Sequence, residues 1–190
     1  MAYTTAADVR AYLGVAASTD DALLTVLISA ATAIIEGETG RRFEAASATR
    51  YYQPPALDAD DPNLLHLDGD LVSVTTLKNG EGETIPSTDY WLLPRNQGPP
   101  YHAIKLKSES TDAWTFDTDG EIEVAGKWGY SATPPADIVM ACKRMAGYLY
   151  KLKDSQVFDV TAMPDQGVIT IPKGIPQDVK VVLMKYRKLL

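Results

Sequence analysis

Four kinds of residue in this chain could do chemistry: two histidines, one cysteine, three tryptophans and a dense group of aspartates. His66 and His102 stand alone, and neither has the spacing that a metal site needs. An isolated histidine of this kind reads as structural or solvated. Asp58, Asp60, Asp61, Asp68 and Asp70 superficially resemble a calcium-binding loop. The glycine of its turn is missing, and Gly69 falls where the closing bidentate glutamate belongs. Cys142 has no second cysteine to pair with. Its place on an apolar helical face predicts a buried, inert thiol. Trp91, Trp114 and Trp128 could line a sugar site; at strand spacing they read first as core residues. The 25 acidic residues could include a glycosidase carboxylate pair, but no spacing singles one out. No Gly-x-Ser-x-Gly elbow, phosphate-cradling glycine loop or Cys-x-x-Cys is present. The expectation is therefore no catalytic residue, no metal and no cofactor.

Charge is more informative than any single side chain. The net charge is −7, and it is unevenly placed. Residues 1–140 hold 21 acidic and 9 basic side chains, a net of −12, whereas residues 141–190 hold 4 and 9, a net of +5. An acidic body lacks the Lys and Arg excess that neutralises phosphates, which argues against ordinary nucleic-acid binding. The basic end either docks on an acidic partner or is a solvated helix face. A chain of 190 residues with 45% hydrophobic content supports one domain, or a domain with a large insertion, around a real core. The N-terminal residues lack the basic-then-apolar pattern of a secretory signal, so synthesis in the cytoplasm is expected.

The elements that must position these residues follow from periodicity. Thr5 with Asp8, and Ser18 with Asp21, have capping-box spacing and predict two helix starts. In the first helix Val9, Tyr12 and Leu13 share a face, and Gly14 stops it. The second has two apolar rows. One is Leu23, Leu27, Ala30 and Ile34; the other is Leu24, Ile28, Ala31 and Ile35. Thr25, Ser29, Thr32 and Glu36 form a narrow polar stripe between them. Leu27 and Ile34 are expected in the core. The helix reads as too short and interrupted to cross a membrane.

Residues 44–131 read as strands and turns, with strand-like runs at 71–77, 90–93, 103–106, 114–116 and 121–124. The turn at 78–81, around Asn79 and Gly80, is the strongest hairpin signal. Thr133, Pro134 and Pro135 open a third helix with a stripe of Ile138, Cys142, Met145, Leu149 and Leu152. Residues 168–171 could form a short strand without an obvious neighbour to pair with. Pro176 opens a last helix with Val179, Val182, Leu183 and Tyr186 on one side. The fold class expected is α+β: a small helical bundle from residues 1–43 and 132–154, a large antiparallel β-rich insertion at 44–131, and a C-terminal arm at 155–190.

Two stretches carry a resemblance. The first is Asp8, Arg10, Tyr12 and Leu13, then Asp20, Asp21, Leu23 and Leu24, ending in Glu36, Glu38, Gly40, Arg41, Arg42 and Phe43. The second is Glu121 to Gly126 and Trp128, Gly129, Tyr130, leading into Pro134, Pro135, Asp137 and Ile138. Together, and in this order, they resemble the head–tail connector (adaptor) proteins of tailed bacteriophages. The match is best over residues 4–43 and 120–153. It implies a structural protein of the virion neck, assembled as a closed ring of about twelve copies. The ring would dock on the portal protein, extend its DNA channel without specific DNA binding, and present a platform to a downstream tail, stopper or nozzle protein. No membrane partner is implied. The resemblance also implies that the C-terminal segment reaches the portal and orders on docking. Its candidate contacts are apolar Val157, Phe158, Val168, Ile169 and Ile171, with cationic Lys180, Lys185, Arg187 and Lys188. The alternatives are another phage neck or tail-completion protein, and a small carbohydrate-active enzyme or carbohydrate-binding module using the β region.

Overall fold

The computed structural model describes residues 2–53, 56–116, 121–153, 160–163, 167–170 and 174–188. In chain order the elements are helices α1 (Ala6–Leu13) and α2 (Asp21–Thr39), then strands β1 (Ala46–Tyr52), β2 (Leu64–Lys78), β3 (Tyr90–Leu93), β4 (Tyr101–Leu106) and β5 (Ile122–Trp128). Helix α3 (Ala136–Leu152), strands β6 (Val160–Met163) and β7 (Gly167–Thr170), and helix α4 (Gln177–Met184) follow. The fold is α+β, as the patterning predicts. The chain forms two units: Met1–Gly40 with Pro134–Leu190, and Arg41–Thr133.

In the helical unit, Thr5 caps α1 as its spacing requires. Its oxygen accepts the Asp8 N–H at 3.2 Å, and its hydroxyl donates to the Asp8 carboxylate at 2.8 Å. Gly14 ends the helix at φ 70°, a left-handed conformation that strains any residue with a Cβ. Ser18 does not cap α2. The N-cap is Asp20, and its side chain makes no capping bond, because its carboxylate accepts from Lys153 at 2.8 Å and from the Tyr150 hydroxyl. Nor does Thr133 cap α3, whose N-cap is Pro135.

The two apolar rows of α2 are used opposite to expectation. Leu24, Ile28, Ala31 and Ile35 are buried, with Thr32 and Thr39 beside them. Leu27 and Ile34 are only half-buried, and Leu23 and Ala30 are exposed. The inward row packs on α3, where Ile138, Ala141, Cys142, Met145 and Ala146 are buried. Cys142 lies 3.7 Å from the Thr32 hydroxyl, so one member of the presumed polar stripe points into the core. With 19 residues, α2 is long and apolar enough to span a membrane by length and composition, contrary to the reading from sequence. Its inward face is nevertheless part of a helical core.

The C-terminal helix is held by α3. Val179 and Leu183 are buried. The Tyr186 hydroxyl reaches the Asp137 carboxylate at 2.8 and 2.9 Å, and Arg144 pairs with Asp178 at 2.5 Å. The strand at 167–170 does have a partner: β7 pairs antiparallel with β6, placing Val168 opposite Ala162 and Ile169 opposite Thr161.

The second unit is a five-stranded antiparallel sheet in the order β1-β5-β2-β4-β3. Its core is Leu65, Leu71, Leu77, Ile104, Leu106, Ile122 and Val124, all nearly inaccessible. The patterning misses β1 and truncates β2. It also assigns a strand to 114–116, where Trp114 and Phe116 pack against the core from an irregular segment. The Asn79 turn is wider than a two-residue hairpin. The Asn79 side chain accepts from the N–H groups of Glu81 and Glu83, and the left-handed residue is Gly82, not Gly80. Gly126 is required by proximity: a Cβ there would lie 2.2 Å from the Ser73 carbonyl of β2.

Candidate docking surfaces

The residues proposed from sequence as partner contacts divide into two groups. Val157, Phe158 and Ile171 lie outside the described residues. Val168 and Ile169 stand in β7. On and beyond α4, Lys180, Lys185 and Arg187 are exposed, while Lys188 is half-buried and its N–H donates to the Thr39 carbonyl at 2.8 Å. Lys180, Lys185 and Arg187 have no carboxylate partner among the described residues. The geometry explains their freedom. Val179 and Leu183 turn inward, Val182 is half-buried and Asp178 is taken by Arg144, so the other positions of the helix face water. Val181 and Met184 share that exposure, at 51% and 60%. The outer side of α4 is thus apolar and cationic.

The aspartates that resemble a calcium loop are committed to protein partners. Asp58 accepts from His66 at 2.9 Å and from the Asp60 and Asp61 N–H groups; the His66 bond, then the two backbone bonds, hold its carboxyl below the usual range. Lys105, 2.5 Å away, lowers Asp61 in the same sense. Burial raises Asp68, but hydrogen bonds from Tyr52 and Arg50 outweigh it and the net direction is down. The Tyr52 phenol is pushed up by its own burial and by Asp68. Asp70 is buried against Arg41 at 2.7 and 2.8 Å, with His102 at 3.4 Å. Among the described residues no group of carboxylates, histidines and cysteine is placed to hold a metal. Burial also raises the Cys142 thiol.

The tryptophans offer no free stacking platform. Trp128 is buried, its indole N–H donating to the Ala48 carbonyl at 3.0 Å, and Arg50 lies over its ring. Trp114 donates to Asn63 from within the core margin. The Trp91 ring carries Arg95 at 3.2 Å and Lys107 at 3.9 Å from its centroid. A sugar would have to displace those cations.

Two features of the helical unit escaped the reading of the sequence. One is the outward row of α2, where Val26 is 64% exposed. The other is a groove of about 230 Å³ lined by Tyr12, Leu13, Gly147, Tyr148, Lys151 and Pro176, among others. The signal for the first was present, since α2 has more apolar positions than one packed face can use. The groove joins α1, α3 and the start of α4, and no local pattern announces it.

The family model for head completion proteins matches residues 2–189, and the chain belongs to that family. Its fold is similar to a chain in the neck of an empty GTA particle computed with C6 symmetry. That likeness has a TM-score of 0.64 and 20% identity over 99% of this chain and 91% of the other. A chain in the neck of a native GTA particle computed with C12 symmetry gives 0.61 and 20%, over 97% and 88%. No curated protein sequence matches.

Proposed function

We propose that this protein is a structural, non-enzymatic head–tail connector located in the virion neck of a tailed phage. It assembles as a closed ring of about twelve copies, docks on the portal protein, and extends the DNA channel toward a tail or stopper component. The observation that carries this reading is the head completion family match across almost the whole chain, supported by the shared fold with neck chains from particles of C6 and C12 symmetry. The charge distribution agrees with a channel through which DNA slides. The β unit holds fifteen acidic and eight basic residues, whereas the helical unit holds ten of each. A surface with that acidic excess does not retain phosphate.

Portal docking is assigned to the C-terminal region 155–190. Lys180, Lys185 and Arg187 steer it by charge; the apolar residues Val157, Phe158, Val168, Ile169 and Ile171 anchor it. Because α4 contributes Val179 and Leu183 to the helical core, removing residues 160–190 would damage that core and cannot test docking cleanly. Charge reversal can. Lys180→Glu, Lys185→Glu and Arg187→Glu combined should leave melting unchanged and weaken co-sedimentation with the portal of the same genome by about tenfold or more. Unchanged portal affinity would transfer the contact to the β unit. Cryo-electron microscopy of the wild-type chain with that portal tests the whole reading. A ring of this chain below the portal is expected, and a chain that binds no portal refutes it.

A further inference from the structure

α2 has two apolar faces, and the helical core uses one. Between Asp21 and Glu36 no residue of α2 is charged. Four turns of helix, about 21 Å long, therefore present Leu23, Val26, Ala30 and Ala33 to water. Leu23 is 37% and Val26 64% exposed. The exposed hydroxyls on this side donate to the helix's own carbonyls. Thr25 donates back to the Asp21 carbonyl at 2.8 Å, and Ser29 to the Thr25 carbonyl at 3.1 Å. The result is a convex apolar ridge. Beyond its C-terminal end stand acidic Glu36 and exposed Glu38, with half-buried Lys188 beside Gly40.

The same unit carries a concave counterpart on other helices. The groove between α1, α3 and the start of α4 is walled by the Tyr12, Leu13, Tyr148 and Pro176 side chains, with exposed Lys151 and the Arg144–Asp178 ion pair on its lining. Gly147 keeps it open, since a Cβ there would press on Leu13 at 3.1 Å. Tyr12 is 46% exposed. Ridge and groove are both largely apolar, and the groove lining carries one more cation than anion while the ridge's C-terminal end carries one more anion than cation. They are also different surfaces of one unit. A two-fold dimer buries one patch against itself; a head-to-tail ring buries two unlike patches against each other.

We propose that the α2 ridge of one copy seats in the α1–α3–α4 groove of the next, forming the repeating seam of the ring. The proposal rests on the ring reading above and names the surfaces that build it. The occupant is a second copy of this chain rather than the portal, because the portal-steering cations of α4 belong to neither patch.

The test uses the full chain with Val26→Asp and Tyr12→Asp made separately. Both positions are exposed, so circular dichroism and melting should match wild type. Sedimentation velocity over a concentration series should show wild-type assembly, with either variant weakened by about tenfold or more. Mixing the two variants should yield 1:1 dimers and nothing larger, since one intact ridge can still meet one intact groove. Assembly of either variant like wild type, no dimer in the mixture, or a wild-type chain monomeric throughout would each overturn the seam. So would a Val26→Asp chain that assembles normally but no longer binds portal, which would make portal the occupant. Rings built by unaltered variants would leave the connector reading standing; failure of wild-type chain to bind portal would remove that reading instead.

Discussion

Substituting Ile28 and Val26 by alanine, one at a time, separates the two faces of α2. Ile28 is 2% exposed and packs in the helical core. Ile28→Ala removes three buried carbons, each worth about 0.8 kcal/mol in transfer free energy. The cavity left behind raises the expected cost to about 3–4 kcal/mol. Val26→Ala removes two carbons that are mostly in water, so its expected effect is within about 0.5 kcal/mol. The assay is urea unfolding followed by far-ultraviolet circular dichroism, at dilution where assembly does not contribute. At a slope of about 1–3 kcal/mol per molar urea, the Ile28 variant should lose roughly 1–4 M in midpoint. The Val26 variant should be nearly superimposable on wild type. Equal losses, or a larger loss at Val26, would mean that the helix is rotated relative to the arrangement described.

Other perturbations reach other parts of the molecule. Gly126→Ala should cost about 1–3 kcal/mol in thermal or urea unfolding, because its Cβ would collide with the Ser73 carbonyl at 2.2 Å. Gly37→Ala, with nothing within 4 Å, should instead stabilise α2 by about 0.5–1 kcal/mol. Arg41→Met leaves the Asp70 carboxylate, whose side chain is 4% exposed, with His102 as its remaining neighbour, and should cost about 1–3 kcal/mol by the same measurement. For pH, the relevant carboxyls are Asp8, lowered by Thr5 and Lys143; Asp20, lowered by Lys153 and Tyr150; and Asp58 and Asp61. Their folded values lie below the ordinary 3.8, so the unfolded chain takes up protons first. Their contribution is complete above that value and is lost as pH falls through the lower folded ones. Melting temperature should be flat near neutrality and fall below about pH 4; a maximum in strong acid would contradict the assignment.

Much of this fold is legible from local pattern. Helix boundaries at Gly14 and Gly40, the α3 stripe and the inward side of α4 follow from capping chemistry and helical spacing. What pattern cannot supply is choice between equivalents. Leu27 and Ile28 are adjacent, equally apolar, and belong to rows of the same length; only the position of α3 decides which row is buried. β1 was invisible for a related reason. Its burial pattern has a single fully buried residue, Tyr52, so it lacks the alternation that marks a half-buried strand. Its identity comes from seven rungs of pairing to β5, a contact across some seventy residues of sequence. The candidate docking residues show the same division. The cations of α4 could be found by charge alone, whereas the groove exists only once three helices meet.

The pairing of β1 with β5 has one more consequence. The register runs from Ala46 opposite Trp128 to Tyr52 opposite Ile122. Just outside it, the Ala45 N–H donates to the Ser131 carbonyl at 3.0 Å and the Tyr130 N–H to the Arg42 carbonyl at 2.7 Å. The polypeptide thus leaves for the sheet and comes back from it on neighbouring strands, about 4.8 Å apart. Such a base behaves as a cassette socket. Loops between β1 and β5 that lie outside the paired strands can change length while this pairing keeps the two flanking chain ends at a fixed separation. Variation in the sheet's outer loops is then inherited independently of the helices, which lets one scaffold acquire new neighbours without relearning how to fold.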